Sequence, residues 1–135
     1  TRIRTQQVGD AASTVSQYPA VREKMVKLQQ SLAEHTSVVM DGRDIASKVL
    51  PNADTKIYLT ASVEERARRR ANELREKGEA CDIAEVEAEI RARDDRDMHR
   101  QHSPLIQVPE AVLVDSSTLT IDETIDRILE ICMQH

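Results

Sequence analysis

The sequence contains very few aromatic residues, since tryptophan and phenylalanine are absent and only two tyrosines occur. Surfaces that bind nucleic acids usually combine aromatic stacking platforms with an excess of positive charge. The formal net charge here is -5 at pH 7. The shortage of aromatic residues and of net positive charge therefore argues against nucleic acid as a partner.

Long hydrophobic runs are also missing from the chain. No stretch approaches the ~20 apolar residues of a membrane-spanning helix, and charged residues make up 32% of the sequence. Cys81 and Cys132 lie far apart in a sequence that shows no signal-peptide pattern, so we expect free thiols rather than a disulfide. We expect a single cytoplasmic domain with no membrane partner.

The chain does contain clear helical periodicity near both ends. Apolar residues recur at helical spacing between Val8 and Ala33, and Pro19 stands where a second helix would begin, so two helices are expected there. The last segment has the pattern of an amphipathic helix. Its apolar members are Ile121, Ile125, Ile128, Leu129 and Cys132.

The middle of the chain has the pattern of a charged helical hairpin. Ser62 is followed three residues later by Glu65, and Asp82 by Glu85, which is the capping pattern that opens helices. The first helix should end at Gly78 and the second at about residue 99.

Three short aliphatic segments, at 37–40, 56–59 and 111–114, read as strands. Strands that alternate with helices predict an α/β fold with a parallel sheet. Ligands of such sheets gather at the carboxyl ends of the strands. The residues that follow each strand are therefore the first candidates for a binding site.

Arg43 and Asp44 directly follow the first expected strand. The planar fork of an arginine suits a phosphate, and an aspartate suits a donor such as the exocyclic amine of cytosine. Uracil would present an acceptor to that aspartate instead. The alternative is a surface ion pair between neighbours.

Arg93, Asp97 and Arg100 are spaced to share one face of the second hairpin helix. Such a face suits a nucleoside monophosphate, with the arginines on phosphate oxygens and the aspartate on ribose hydroxyls. A solvated, salt-bridged helix explains the same residues equally well.

Two further groups lie on the hairpin. Arginines at positions 66, 68, 69 and 70 could close over a triphosphate as a mobile lid, or could pair with Glu64, Glu65 and Glu73. His99 and His102 have a spacing that two metal ligands could share, but no third ligand accompanies them, so we expect no metal site.

Three blocks of the sequence resemble the bacterial cytidylate kinases, which belong to the nucleoside monophosphate kinase group of P-loop proteins. The blocks are DGRDIASKVLPNADTKIYLTASVEERARRR, EIRARDDRDMHR and VLVDSSTLTIDE, preceded by TRIRTQQVGDAASTVSQYPAVREKM. The resemblance implies a parallel sheet flanked by helices with a helical lid. It also implies transfer of the γ-phosphoryl group of ATP, with Mg²⁺, to CMP or dCMP, in a protein that is a monomer at full length.

The resemblance also implies roles for single residues. Ser13, Arg22 and Asp44 would contact cytosine; Arg43 and Arg100 would hold the acceptor phosphate; Asp97, with Arg93 beside it, would take the ribose hydroxyls. On the donor side it implies the lid arginines Arg66, Arg69 and Arg70, of which Arg70 is the expected phosphate contact, and Asp115 and Ser116 near adenine. Arg43, Arg100 and Arg70 are the expected catalytic residues.

The family's phosphate-binding loop, G-x-x-x-x-G-K-[ST], does not occur in this sequence, whose only glycines are Gly9, Gly42 and Gly78. We therefore expect the chain to be a carboxyl-terminal portion of the enzyme, inactive by itself. The alternative is a non-catalytic fragment that binds a nucleotide or a protein.

The resemblance divides the chain into four parts. Residues 1–36 would be a helical part of the CMP-binding region, and 37–61 would hold core strands and the CMP-binding loop. Residues 62–102 would form the lid and the substrate-contacting hairpin, and 103–135 the last core strand and helix.

Overall fold

Two helices form the first part of the fold. The computed structural model describes residues 6–134, apart from the side chains of Gln6, Gln7, Asp10 and Ser13. Helix α1 comprises Gln6–Val15 and α2 comprises Pro19–His35. Proline is the first residue of α2, where its missing N–H leaves no hydrogen bond unmade. The expected pair of helices is confirmed.

A two-stranded parallel sheet lies at the centre of the described chain. Strand β1 (Ile57–Thr60) pairs with β2 (Val112–Asp115) so that Thr60 is opposite Asp115. Both strands begin one residue later than the apolar pattern predicts. The carboxyl ends of both strands therefore lie at the same edge of the sheet.

The predicted strand at 37–40 is wrong. These residues are irregular, and within the described part of the chain β1 pairs with β2 alone. Val39 is fully exposed. A strand forms only where a second backbone lies alongside to complete its hydrogen bonds, and an apolar pattern does not show whether that backbone is there.

The expected helical hairpin is present, and it comprises α3 (Val63–Glu76) and α4 (Ile83–His99). The Ser62 hydroxyl accepts a hydrogen bond from the Glu65 amide at 3.1 Å, and the Asp82 carboxylate accepts one from the Ala84 amide at 2.8 Å. Gly78 follows α3 with φ of +77°, a conformation that glycine adopts without strain.

Helix α5 (Ile121–Met133) closes the described chain, as expected. It begins with a complete capping box, in which Thr120 and Glu123 bond each other's backbone amides. Its apolar side is only partly covered, because Ile131 is buried whereas Ile121 and Leu129 remain exposed.

Small side chains dominate the buried core, which consists of Val49, Ala61, Ala67, Ala71, Val86, Val108, Val114 and Ile131. Ala67 and Ala71 are one turn apart on α3 and fully buried, so α3 and α4 can approach closely. Among the described residues, no helix is both long and apolar enough to cross a bilayer.

Candidate functional site

The carboxylate of Asp44 is buried against the guanidinium of Arg22. Arg22 lies in the first turns of α2, and its Nη2 donates to Asp44 Oδ2. The side chain of Asp44 is 5% exposed and that of Arg22 is 22% exposed. Buried carboxylates need such a partner, because removal from water disfavours the charged form.

A single turn of π-helix, Ile45–Val49, fixes the backbone around Asp44. The carbonyl oxygen of Asp44 accepts hydrogen bonds from the amides of Lys48 at 2.8 Å and Val49 at 3.2 Å. Gln30 Nε2, on α2, donates to the carbonyl of Val49 at 3.0 Å. Burial of Val49 and this bond hold the turn against the helix that carries Arg22.

Arg43, Asp97 and Arg100 form the second half of the site. Arg43 Nε donates to Asp97 Oδ2 at 2.8 Å, and Arg100 Nη1 lies 4.0 Å from Asp97 Oδ1. Arg100 Nε donates to the carbonyl of Ser103, a residue with φ of +53°. The turn that follows α4 thus holds Arg100 beside the helix end.

Two guanidinium nitrogens in this region are buried without a hydrogen-bond partner in the described structure, Arg22 Nε and Arg100 Nη2. Burial, followed by the positive charge of Arg22, lowers the pKa of Arg100 from its ordinary value. The charges of Asp97, Asp44 and Arg43 also act on Arg100. Three guanidinium groups and two carboxylates therefore share one neighbourhood that has spare donors and excess positive charge.

Such an arrangement is suited to an anion. Buried N–H groups without partners are costly, and a phosphate oxygen that accepted from them would remove that cost. The pairing of Asp44 with Arg22 also leaves carboxylate lone pairs that can accept further hydrogen bonds. We call the set of Arg22, Arg43, Asp44, Asp97 and Arg100 the arginine–aspartate cluster.

Arg93 and Ser13 are not joined to this cluster by the described contacts. Arg93 shares the helix with Asp97 but forms no hydrogen bond with a described residue, and its charge acts on Asp94 instead. Asp97 takes Arg43 as its closest partner rather than Arg93. The predicted role of Ser13 concerns a side chain outside the described ones.

A second polar network joins α3 to the carboxyl ends of both strands. Arg69 Nη2 donates to the carbonyl of Ser116 at 2.6 Å, and Ser116 Oγ donates to the carbonyl of Thr60 at 3.0 Å. Ser116 is buried. The structure thus brings together Arg69 and Ser116, two residues predicted on the donor side. Asp115 follows β2 with an exposed carboxylate that accepts from the Ser117 amide at 2.9 Å.

Three consecutive arginines of α3, Arg68, Arg69 and Arg70, pair with acidic side chains of the same helix. Arg68 and Arg69 both donate to Glu65, and Arg70 Nη1 donates to Glu73 at 2.8 Å. These pairs confirm the ion-pairing alternative for Arg68, Arg69 and Arg70 in this state of the protein. Such exposed pairs are weak and can reopen, so they do not prevent the arginines from binding a phosphate.

Arg66 has different partners, which the sequence did not indicate. Its Nη1 and Nη2 donate to the two oxygens of Asp94 at 2.9 and 2.6 Å, and its Nε donates to the carbonyl of Ala61 at 3.0 Å. The hydrogen bonds from Arg66 are the main cause that lowers the pKa of Asp94. Asp94 is the main residue that sequence reasoning missed, although it precedes Asp97 by one helical turn.

A cleft of about 1290 Å³ runs beside Arg66 and Asp94. Its lining includes Arg43 from the loop, Tyr58 and Thr60 from β1, Arg66 from α3, and Asp94 and Met98 from α4. A second groove of about 410 Å³ lies between β2 and α5, next to Asp115. Among the described residues, no three His, Cys, Asp or Glu side chains are grouped so as to hold a metal ion.

Comparison with known proteins identifies close relatives over nearly the whole chain. The family model described as "Cytidylate kinase" matches residues 1–134. Proteins named "Cytidylate kinase" from Symbiobacterium thermophilum and Geobacillus kaustophilus are 46% and 49% identical over 130 and 129 residues. One from Desulfitobacterium hafniense is 50% identical over 129 residues.

These matches cover 96% of this chain but 56–58% of the length of those relatives. The chain belongs to the cytidylate kinase family. The expected fold class is confirmed: helices flank a parallel sheet, as in part of the P-loop nucleoside monophosphate kinase fold.

Proposed function

We propose that the whole protein transfers the γ-phosphoryl group of ATP to CMP or dCMP, which gives CDP or dCDP and ADP. The observation that carries this proposal is the arginine–aspartate cluster, with its buried ion pair and its two unpartnered guanidinium nitrogens. The names of the relatives support the reaction class. Because the chain spans 58% of such a relative, the activity is proposed for the full-length protein.

The base of the acceptor would be read by Asp44. Its carboxylate, held in place by Arg22, would accept from the exocyclic amine of cytosine, whereas uracil presents an oxygen there and would repel it. Arg22 and Ser13 would complete the contacts to the ring. Burial of Asp44 strengthens this selection, because electrostatic interactions grow as water is excluded.

The phosphate of the acceptor would bind between Arg43 and Arg100. The unpartnered Arg100 Nη2 offers a donor that is already desolvated. When Arg43 turns to the phosphate, its bond to Asp97 is released, and Asp97 becomes free to accept from the ribose hydroxyls with Arg93 beside it. The ion pair seen in the structure would thus be a resting arrangement that the substrate replaces.

The donor would lie over the carboxyl edge of the sheet, with Arg69 and Ser116 at its border and Asp115 near the adenine. Arg70 would leave its exposed pair with Glu73 and contact the donor's phosphates. ATP binds these enzymes with Mg²⁺, which neutralises phosphate charge. No group of described side chains forms a cage for that ion, so none is assigned to it.

Catalysis on this account is positioning and charge stabilisation. Arg43 and Arg100 would screen the acceptor's negative charge and align its attacking oxygen, and Arg70 would stabilise charge on the phosphoryl group in flight. The transfer is direct, so no covalent enzyme intermediate forms. The γ-phosphorus bond to the ADP oxygen breaks as its bond to the acceptor oxygen forms.

Replacement of Arg100 tests the acceptor phosphate site. In the full-length protein, Arg100→Ala should raise KM for CMP or lower kcat/KM by about a hundredfold, because a buried charge-assisted contact to phosphate is lost. The matched control is Arg96→Ala, which removes an exposed arginine in the last turn of α4, four residues before Arg100. Unchanged kinetics in Arg100→Ala would refute the phosphate assignment.

A further inference from the structure

Arg66 connects three parts of the fold with one side chain. It lies in the first turn of α3, and its Nε donates to the carbonyl of Ala61 just after β1. Its two terminal nitrogens donate to the carboxylate of Asp94 on α4. Each of its three nitrogens therefore has a partner. The paired, parallel geometry with Asp94 fixes distance and orientation together, which a single bond does not.

Asp94 lies one helical turn before Asp97, so the two carboxylates share a face of α4. Asp97 contacts Arg43, and the charge of Arg43 also acts on Asp94. The hydrogen bonds from Arg66 to Asp94 thus lie directly beside the arginine–aspartate cluster. A shift of α4 at Asp94 would move Asp97 and Arg100 with it.

Release of Arg66 from Asp94 would be unfavourable. The side chain of Asp94 is 25% exposed, and hydrogen bonds from Arg66 are the main cause of its lowered pKa. Without that partner, the partly buried carboxylate of Asp94 would be unpaired and close to the carboxylate of Asp97. Arg66 is for this reason poorly suited to exchange its partner for a donor phosphate, unlike Arg70 in its exposed pair with Glu73.

The Arg66–Asp94 interaction becomes more important once the acceptor is bound. Under the proposed function, Arg43 leaves Asp97 for the phosphate, and the direct tie between the loop and α4 is lost. The bond from Arg66 to Asp94 remains, because neither group contacts the acceptor in that scheme. It then holds the helix that carries Asp97 and ends just before Arg100.

We propose that Arg66 is a positioning residue for the acceptor site, which acts through Asp94 to hold α4 so that Asp97 and Arg100 face Arg43. This inference rests on the proposed function, since it concerns the same acceptor site. It differs from the role in the lid over ATP that the family resemblance implies for Arg66. Lysine cannot substitute, because it lacks the planar fork that bonds both oxygens and the Ala61 carbonyl at once.

The test compares Arg66→Lys and Asp94→Asn in the full-length protein. Each variant keeps the size of its side chain, so both should fold, which circular dichroism checks. Each should weaken CMP binding in calorimetry and raise KM for CMP by about tenfold, with KM for ATP unchanged, because misplaced contacts are costly. The double variant should lose no more than the worse single variant, since both changes break one interaction.

Arg91→Ala is the matched control, because Arg91 also bridges the hairpin, to Glu64 at 2.8 Å, but is exposed and has no described contact with the arginine–aspartate cluster. It should leave both KM values unchanged. A rise in KM for ATP in Arg66→Lys but not in Asp94→Asn would overturn the inference in favour of a donor contact. Normal CMP binding in both variants would overturn it too, while a wild-type protein that bound no CMP would overturn the proposed function with it.

Discussion

A carboxylate buried against a single arginine, as Asp44 is against Arg22, is costly to separate from its partner. Loss of either side chain leaves the other charge in a site from which water is largely excluded. The proposed base selectivity would therefore be coupled to stability at this position, and any test of base recognition must control for folding.

Replacement of Asp44 should relax the choice between cytosine and uracil. We expect Asp44→Ala to reduce the ratio of kcat/KM for CMP to that for UMP by about tenfold or more, because the acceptor for the cytosine amine is lost and the repulsion of uracil ends. Steady-state kinetics with both acceptors in the full-length protein measure that ratio.

Two further variants sharpen this comparison. Asp44→Asn preserves shape and offers an amide that can donate to uracil, so it too should reduce the ratio. Asp54→Ala removes an exposed carboxylate from the following turn and should leave the ratio as it is. An equal loss of CMP and UMP turnover in both Asp44 variants would count against base recognition by this residue.

The ion pair between Arg22 and Asp44 could not be predicted from the sequence. The two residues are 22 positions apart, and only the packing of the π-helical turn on α2 brings them together. The resemblance placed both near cytosine but did not indicate their mutual bond. Arg66 shows the same limit, since its partner Asp94 is 28 positions away.

Helix ends, by contrast, are governed by nearby residues. The capping box at Thr120 illustrates this, because its hydroxyl accepts from the Glu123 amide at 3.2 Å and the Glu123 carboxylate accepts from the Thr120 amide at 2.8 Å. Thr120→Ala should lower the free energy of unfolding by about 1 kcal/mol, the usual worth of such a cap. Urea denaturation measures the change.

Thr118→Ala is the control for that measurement, since Thr118 is an exposed turn residue two positions earlier. It should change the stability little. Equal stability of the Thr120 and Thr118 variants would mean that α5 does not depend on its cap.

Acid should weaken α3 through its ion pairs. Hydrogen bonds from Arg68 and Arg69 lower the pKa of Glu65 to about 2, and those from Lys77 and Arg70 lower the pKa of Glu73 to about 2. The unfolded chain then binds more protons than the folded one as pH falls below the ordinary value of 4.5. The free energy of unfolding should therefore decrease between pH 4.5 and about 2.

Glu65→Gln should flatten this decrease, as should added salt, because exposed pairs are screened. Glu76→Gln is the control, since Glu76 lies on the same helix and forms no ion pair with a described residue. Urea denaturation across this pH range provides the readout. An identical pH dependence in Glu65→Gln and wild type would show that the pairs on α3 do not contribute.

The helices and strands also show which kinds of secondary structure a sequence pattern can predict. Capping residues and helical periodicity predicted the five α-helices of residues 6–134, because their signals lie within or directly beside each helix, but they did not predict the π-helical turn Ile45–Val49. The segment at 37–40 had an equally clear strand pattern, yet it has no neighbouring strand in the described structure. Strand formation depends on a second segment, so a local pattern is necessary but not sufficient.

For the whole molecule, the hairpin links the two proposed substrate sites. Helix α3 contacts the carboxyl edge of the sheet through Arg69 and Ser116, and α4 carries Asp97 and is followed directly by Arg100. Arg66 joins the two helices and the sheet at one point. Donor and acceptor would thus be held by one structural unit, which suits a direct transfer between them.

The most direct test of this account is a product analysis of the full-length protein. ATP with Mg²⁺ should be supplied in turn with CMP, dCMP, UMP and AMP, and the nucleotides separated by ion-exchange chromatography. We predict equal amounts of ADP and CDP, or ADP and dCDP, and far less product from UMP or AMP. Binding of CMP without any CDP, or preferred transfer to AMP, would contradict it.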